Sequence, residues 1–147
     1  MRAFIAIELP EIIKERVAFF QQKLRTRGHD ISWVKSKNLH VTLKFLGEIN
    51  SSQQDDITTS LSNTYRQFSP FSIMVEKSGF FPGPDKPRVL WAGCSDSGHQ
   101  LKSLFAATDS ALTRIGFMPE KRPFSPHLTI GRIKKYQAAA ELVADVQ

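Results

Sequence analysis

Residues 39–46 read LHVTLKFL and residues 126–133 read PHLTIGRI. The two stretches share a four-residue unit, His40-Val41-Thr42-Leu43 and His127-Leu128-Thr129-Ile130. Each unit alternates polar and aliphatic side chains, the period of a strand with one buried face. Side chains two apart on a strand point the same way. Val41 with Leu43, and Leu128 with Ile130, are therefore predicted to enter a core. His40 with Thr42, and His127 with Thr129, are then presented together on the opposite side. A lone histidine on a strand says little, but two copies of one polar pair in a chain of 147 residues point to shared chemistry.

Around these two strands, Ala3 to Glu8, Ile31 to Val34, Phe71 to Val75 and Arg88 to Gly93 also read as strands. Residues 11–27 carry Ile13, Val17, Phe20 and Leu24 on one face of an amphipathic helix, closed by Gly28. A second helix is expected to start at Ser51 and Ser52, with Ile57 and Leu61 continuing its stripe toward Phe68. A third spans 98–115, and the tail 136–147 (YQAAAELVADVQ) reads as a fourth. Pro82, Gly83, Pro84 and Pro87 mark a hairpin connection. Some strands follow one another directly and others are separated by helices. The expectation is an α+β fold with antiparallel sheets, in one domain over 1–147.

The hydrophobic fraction of 41% and eleven Phe residues suffice for a sizeable interior. A single cysteine, Cys94, excludes an internal disulfide and a thiolate metal cage, and suits a reducing cytoplasm. The start, MRAFIAIELPEII, lacks the basic head and apolar stretch of a signal peptide, and no run approaches the length of a membrane span. The net charge of +6 favours polyanionic partners. Lys44, Lys121, Arg122, Lys134 and Lys135 gather near the two repeated units.

Two imidazoles and two hydroxyls around one small site suit phosphoryl chemistry. Hydrolysis of a cyclic phosphodiester requires a proton to leave water and another to reach the departing oxygen. Histidine, with an unperturbed pKa of ~6.5, can do either near neutral pH. Threonine hydroxyls can donate to the non-bridging oxygens where charge accumulates. Both proton transfers are supplied without a metal. The remaining histidines read differently: His29 as a helix cap or solvent position after Gly28, and His99 as the start of a helix. Neither lies at metal-ligand spacing with another histidine.

The segments RAFIAI, LHVTLKFLG, FFPGPDKPRVLWAG and FSPHLTIGR, in this order over residues 1 to 135, resemble the 2H phosphoesterase superfamily with its paired His-x-Thr-x motifs. Within it the chain is most similar to the bacterial and archaeal RNA 2′,3′-cyclic phosphodiesterases, historically called 2′-5′ RNA ligases. The resemblance implies a bilobal, pseudo-symmetric fold of two antiparallel sheets flanked by helices, with one motif from each lobe lining a central cleft. It implies hydrolysis of a 2′,3′-cyclic phosphate to a 2′-phosphomonoester, and 2′-5′ ligation as the reverse reaction. His40 is then the proton donor and His127 the proton acceptor, although the residues alone leave the two roles interchangeable.

Two further positions fit the family pattern, Phe45 and Arg132, each five residues after its motif histidine. Arg132 would hold the phosphate and Phe45 would stack on the terminal base. Strict alternation puts both on the face opposite the histidines, an objection that a bulge near Gly131 would remove for Arg132. Read without the resemblance, Phe45 is a core residue and Arg132 a solvated strand end. The expected partners are RNA ends or nucleotides with a 2′,3′-cyclic phosphate, bound by a monomer without metal, cofactor or membrane. Family members continue for some thirty residues beyond the position of Gln147, which leads to the expectation of a lobe with fewer strands and an open edge. Two other readings stay open: a module that holds a nucleotide without turning it over, and a phosphodiesterase for a non-RNA cyclic or 2′-5′ linked nucleotide.

Overall fold

The computed structural model describes residues 1–135 and 140–146. Its elements are β1 (Arg2–Glu8), α1 (Glu11–Arg25), β2 (Ile31–Trp33), a 3₁₀ turn at Ser36–Asn38, β3 (His40–Glu48), α2 (Ser51–Tyr65), β4 (Met74–Phe81), β5 (Val89–Ser95), α3 (Gln100–Arg114), β6 (His127–Ile133) and α4 (Ala140–Val146). The strands form two sheets, one of order β1-β3 and one of order β2-β6-β5-β4. This is the α+β class with antiparallel sheets expected from the sequence.

The chain divides into two compact units. The first comprises Met1–Ile7, Thr42–Met74 and Ser95–Pro126, and the second comprises Glu8–Val41, Val75–Cys94 and the described residues of His127–Gln147. The first unit centres on buried Ile49, Ile57, Leu61, Ala111 and Leu112, with Ala3, Ile5, Leu46, Tyr65 and Phe117 packed against them. Ile49 N–H donates to Met1 O at 2.8 Å, which sets the end of β3 beside the start of β1. The α2 helix is capped one residue before the expected serines: Asn50 Oδ1 accepts from Gln53 N–H and Gln53 Oε1 accepts from Asn50 N–H. This reciprocal cap is worth about 1 kcal/mol. At α3, the Asp96 carboxylate accepts the N–H groups of Gln100 and Leu101 at 2.6 and 3.1 Å. His99 is held in the left-handed region (φ 53°) just before it.

The second unit packs α1 and α4 with the four-stranded sheet. Val17 and Leu24 of α1 are buried as its periodicity predicts. Gln21 joins them in the buried stripe, only 6% exposed, because its amide bonds to the sheet. The Pro-rich segment is the expected hairpin connection, with Arg88 N–H donating to Phe81 O at 2.9 Å. The strand before it differs from expectation. It runs Met74–Phe81, so residues 71–73 lie outside it. Polar Glu76, Lys77 and Ser78 and the small Gly79 hide the pattern. Gly79 is required there because the Trp91 indole fills the space that a Cβ would take. The tail forms a helix over Ala140–Val146, while residues 136–139 and 147 of the expected tail helix lie outside the described residues.

Candidate active site

On β6, Leu128 and Ile130 are buried while His127 and Thr129 are half-buried, as alternation predicts. The pairing with β5 decides where Arg132 goes. His127 stands opposite Gly93, Thr129 opposite Trp91 and Arg132 opposite Val89. Residues 89, 91 and 93 are two apart and share one face of β5, so their partners share one face of β6. The register closes because Ile130 is an extra residue opposite the step from Leu90 to Trp91, a β-bulge. The expected irregularity is therefore present, one residue before Gly131. It brings His127, Thr129 and Arg132 to one side, and Leu128 and Gly131 to the other.

Two features support the bulge. The Ile130 carbonyl accepts the Val34 N–H at 2.9 Å and Gln21 Nε2 at 3.0 Å. The same Gln21 amide gives its other proton to Val34 O at 2.9 Å, so both its donors are used. Gly131 is needed for close approach: a Cβ there would come within 2.6 Å of Ile31 Cγ2 and 3.3 Å of Trp33 Cε3 on β2. The His127 ring meets Phe81 edge to face at 5.0 Å, and Phe81 in turn lies 5.3 Å from Trp91. These aromatic neighbours and Gln21 are site residues that the sequence reading missed. The two tandem carbonyl bonds of a helix glutamine leave no trace in residue spacing.

On β3 a parallel departure occurs. Val41 and Leu43 are buried and His40 and Thr42 half-buried, but Lys44 is buried as well and Phe45 is 75% exposed. Leu43 lines a groove with Tyr65 and Leu104 of the two helices. Lys44 reaches Asp109 of α3 at 2.6 Å and Met118 O at 2.7 Å. Two successive side chains thus turn to the helices, and alternation resumes with Leu46 in the core. Phe45 falls on the face opposite the helices, the face of Thr42. The core reading of Phe45 is overturned, and so is the objection from strict alternation. Lys44 cannot serve a polyanion, because its charge is spent on Asp109.

Both motif histidines belong to the second unit, while β3 passes to the first from Thr42 onward. Burial lowers the pKa of His40 from its ordinary 6.5 by disfavouring the imidazolium. The surface reading of His29 is also overturned: its side chain is 8% exposed and lies 2.7 Å from Asp145 of α4. Among the described residues no three His, Cys, Asp or Glu side chains gather as a metal site, and no helix is long and apolar enough to cross a membrane.

Known proteins are similar to this chain over most of its length. An RNA 2′,3′-cyclic phosphodiesterase of Thermotoga maritima is 37% identical over 147 residues, covering 99% of this chain and 78% of its own. The crystal structure of a Thermus thermophilus protein matches with a TM-score of 0.79 at 27% identity, covering 92% of this chain and 75% of that one. Escherichia coli LigT complexed with 3′-AMP matches with a TM-score of 0.71 at 29% identity, covering 89% and 72%. The family model described as LigT like Phosphoesterase matches residues 7–91 and 93–147. The chain therefore belongs to the LigT-like phosphoesterase family.

Proposed function

We propose that this protein is a hydrolase that opens RNA 2′,3′-cyclic phosphate ends to 2′-phosphomonoesters, with His40 and His127 handling the two protons. The observation that carries the reading is the common face of His127, Thr129 and Arg132, obtained only through the bulge at Ile130. A structural strand gains nothing from that device, whereas a phosphate needs a cation and a hydroxyl beside the proton-transfer group. Relatives 33–39% identical over most of the chain carry the name RNA 2′,3′-cyclic phosphodiesterase.

In the proposed step, the water oxygen forms a bond to phosphorus and the bond from phosphorus to the 3′-oxygen breaks. His127 takes the proton from water, and His40 delivers one to the 3′-oxygen. In-line geometry puts base and acid on opposite sides of phosphorus, so one imidazole cannot do both in a single step. Thr42 and Thr129 donate to the non-bridging oxygens, Arg132 holds the phosphate, and Phe45 stacks on the terminal base. The anionic phosphodiester favours the imidazolium that burial alone disfavours at His40. With a 5′-hydroxyl attacking phosphorus in place of water, and the bond to the 3′-oxygen again breaking, the same two proton transfers join RNA through a 2′-5′ bond. The protein works as a cytoplasmic monomer without a metal, in keeping with its one, buried cysteine.

The test is a panel of nucleoside 2′,3′-cyclic phosphates assayed in EDTA, with the product regiochemistry read by phosphorus NMR. Turnover to 2′-phosphates that persists in EDTA is expected, and His40→Ala or His127→Ala should each lower kcat on the order of 100-fold or more. Binding without turnover would leave a nucleotide-holding module. Turnover restricted to 2′-5′ linked or other non-RNA nucleotides would move the substrate class.

A further inference from the structure

Strand geometry aims the Cβ of His127, but it does not set the plane of the ring. The second side-chain torsion of a histidine is broad, without sharp staggered wells, so neighbours must fix it. Proton transfer with an in-line water demands that fixing, because a misplacement of about 1 Å can cost on the order of 100-fold. In the second unit the neighbours form a series. Gly79 of β4 has no Cβ, and the six-membered ring of the Trp91 indole occupies the place of one. Trp91 is thereby laid across β4, on the face of the sheet that it shares with Thr129 and His127. Phe81, two residues after Gly79, packs on the indole with centroids 5.3 Å apart and planes inclined by 32°. The His127 ring in turn meets Phe81 at 5.0 Å and 82°, the edge-to-face arrangement that aromatic pairs favour.

The indole is kept at a cost. Trp91 Nε1–H is buried and has no hydrogen-bond partner among the described residues. A phenylalanine in the same place would carry no such unpaired donor. What the indole adds is reach, a ring long enough to cover Gly79 and still back Phe81.

We infer that Phe81, backed by Trp91, is a positioning residue for the proposed hydrolysis: it holds the His127 imidazole in the plane from which it takes the proton of the attacking water. The phenyl ring has no proton to give or take, so it acts through His127. The inference rests on the function proposed above.

The experiment measures kcat and KM on a nucleoside 2′,3′-cyclic phosphate. Phe81→Leu keeps apolar bulk but not the ring. It should lower kcat by about fivefold or more and leave KM within about twofold, the loss of an aromatic contact that orients rather than binds. Phe81→Tyr, which keeps the ring, should recover most of that loss. Trp91→Phe, which withdraws the indole from Gly79, should lower kcat by a smaller factor, and it carries the test if Phe81→Leu does not fold. The deciding comparison is the His127→Ala background, where there is no imidazole to hold: Phe81→Leu should there leave the residual kcat within about twofold. Proton NMR adds a reading apart from turnover. The imidazole signals missing in His127→Gln should shift in Phe81→Leu, since they lie beside the phenyl ring. A kcat that Phe81→Leu and Trp91→Phe leave intact, an equal loss with and without the His127 imidazole, or an effect carried by KM would each overturn the inference while the proposed hydrolysis stands. Failure of the parent to open the cyclic phosphate would instead remove the functional reading beneath it.

Discussion

Arg132 and His127 stand five residues apart on β6 yet point to the same side, because Ile130 is an extra residue between them opposite the Leu90–Trp91 step. In regular alternation through residues 127–132, Arg132 would share the buried side with Leu128. The guanidinium is thus aimed by the backbone, and its removal tests what it is aimed at. Arg132→Ala should lower kcat/KM by about 1.5–3 kcal/mol, roughly ten- to a hundredfold, through loss of a charge-assisted contact to phosphate. Lysine, a point charge without the planar fork, should restore only part of it. Steady-state kinetics equal to the parent's would leave Arg132 as a solvated strand end.

The bulge depends on Gln21, whose amide bridges Ile130 O and Val34 O from the buried face of α1. Gln21→Met keeps the length of the side chain but offers neither donor. It should destabilise the fold by about 1–3 kcal/mol, the cost of leaving a buried polar group unsatisfied. It should also weaken phosphate binding through Arg132. Denaturant melts measure the first effect. The second is read from a double-mutant cycle: Gln21→Met should cost much less in kcat/KM when Arg132 is already alanine. Equal costs in both backgrounds would reduce Gln21 to a packing residue.

Lys44 and Asp109 make a different kind of claim, about stability alone. Lys44 has 5% and Asp109 19% of its side chain exposed, at 2.6 Å, and Asp109 also accepts the Glu120 N–H. Asp109→Ala strands a buried ammonium and should destabilise by about 3–5 kcal/mol, whereas Lys44→Met with Asp109→Leu should recover much of that loss. Urea midpoints of the two variants decide it. A mild effect of Asp109→Ala would mean that the ammonium finds water.

The repeated His-x-Thr-x unit made the two site strands legible, because a two-residue period is written directly in the identities of residues 40–43 and 127–130. What came after each unit was not legible. The sequence shows Lys44-Phe45 and Gly131-Arg132 as continuing the alternation, but pairing with β5 on one side, and Asp109 with Met118 O on the other, reset it. Those partners lie far along the chain, so no local pattern encodes them. The same holds for β4: what admits Gly79 to the strand is the Trp91 indole lying across it, a contact from another strand. Lys44 shows the converse error, a charge counted toward RNA that an internal carboxylate already holds.

The direction of the His40 shift bears on the division of labour between the two imidazoles. Burial disfavours the charged ring, so in the free protein His40 gives up its proton at a pH below its ordinary 6.5. If His40 is the proton donor, the competent free enzyme holds it protonated, and kcat/KM must fall as pH rises through that lowered value. The alkaline limb of the kcat/KM profile should therefore begin below 6.5. If His40 were the base, the same titration would appear as the acid limb. If the two histidines act as a pair, as proposed, the limbs report macroscopic values and must be tied to residues independently. Proton NMR does this: the imidazole signal missing in His40→Gln identifies His40, and its midpoint should lie below 6.5 in the free protein. The midpoint should rise when adenosine 2′-monophosphate is bound, since the phosphate favours the imidazolium. A His40 midpoint that coincides with the acid limb would exchange the two roles. A substrate whose 3′-leaving group needs no proton gives the kinetic counterpart: His40→Ala should be largely rescued on it while His127→Ala stays impaired, and the opposite rescue would make His127 the acid.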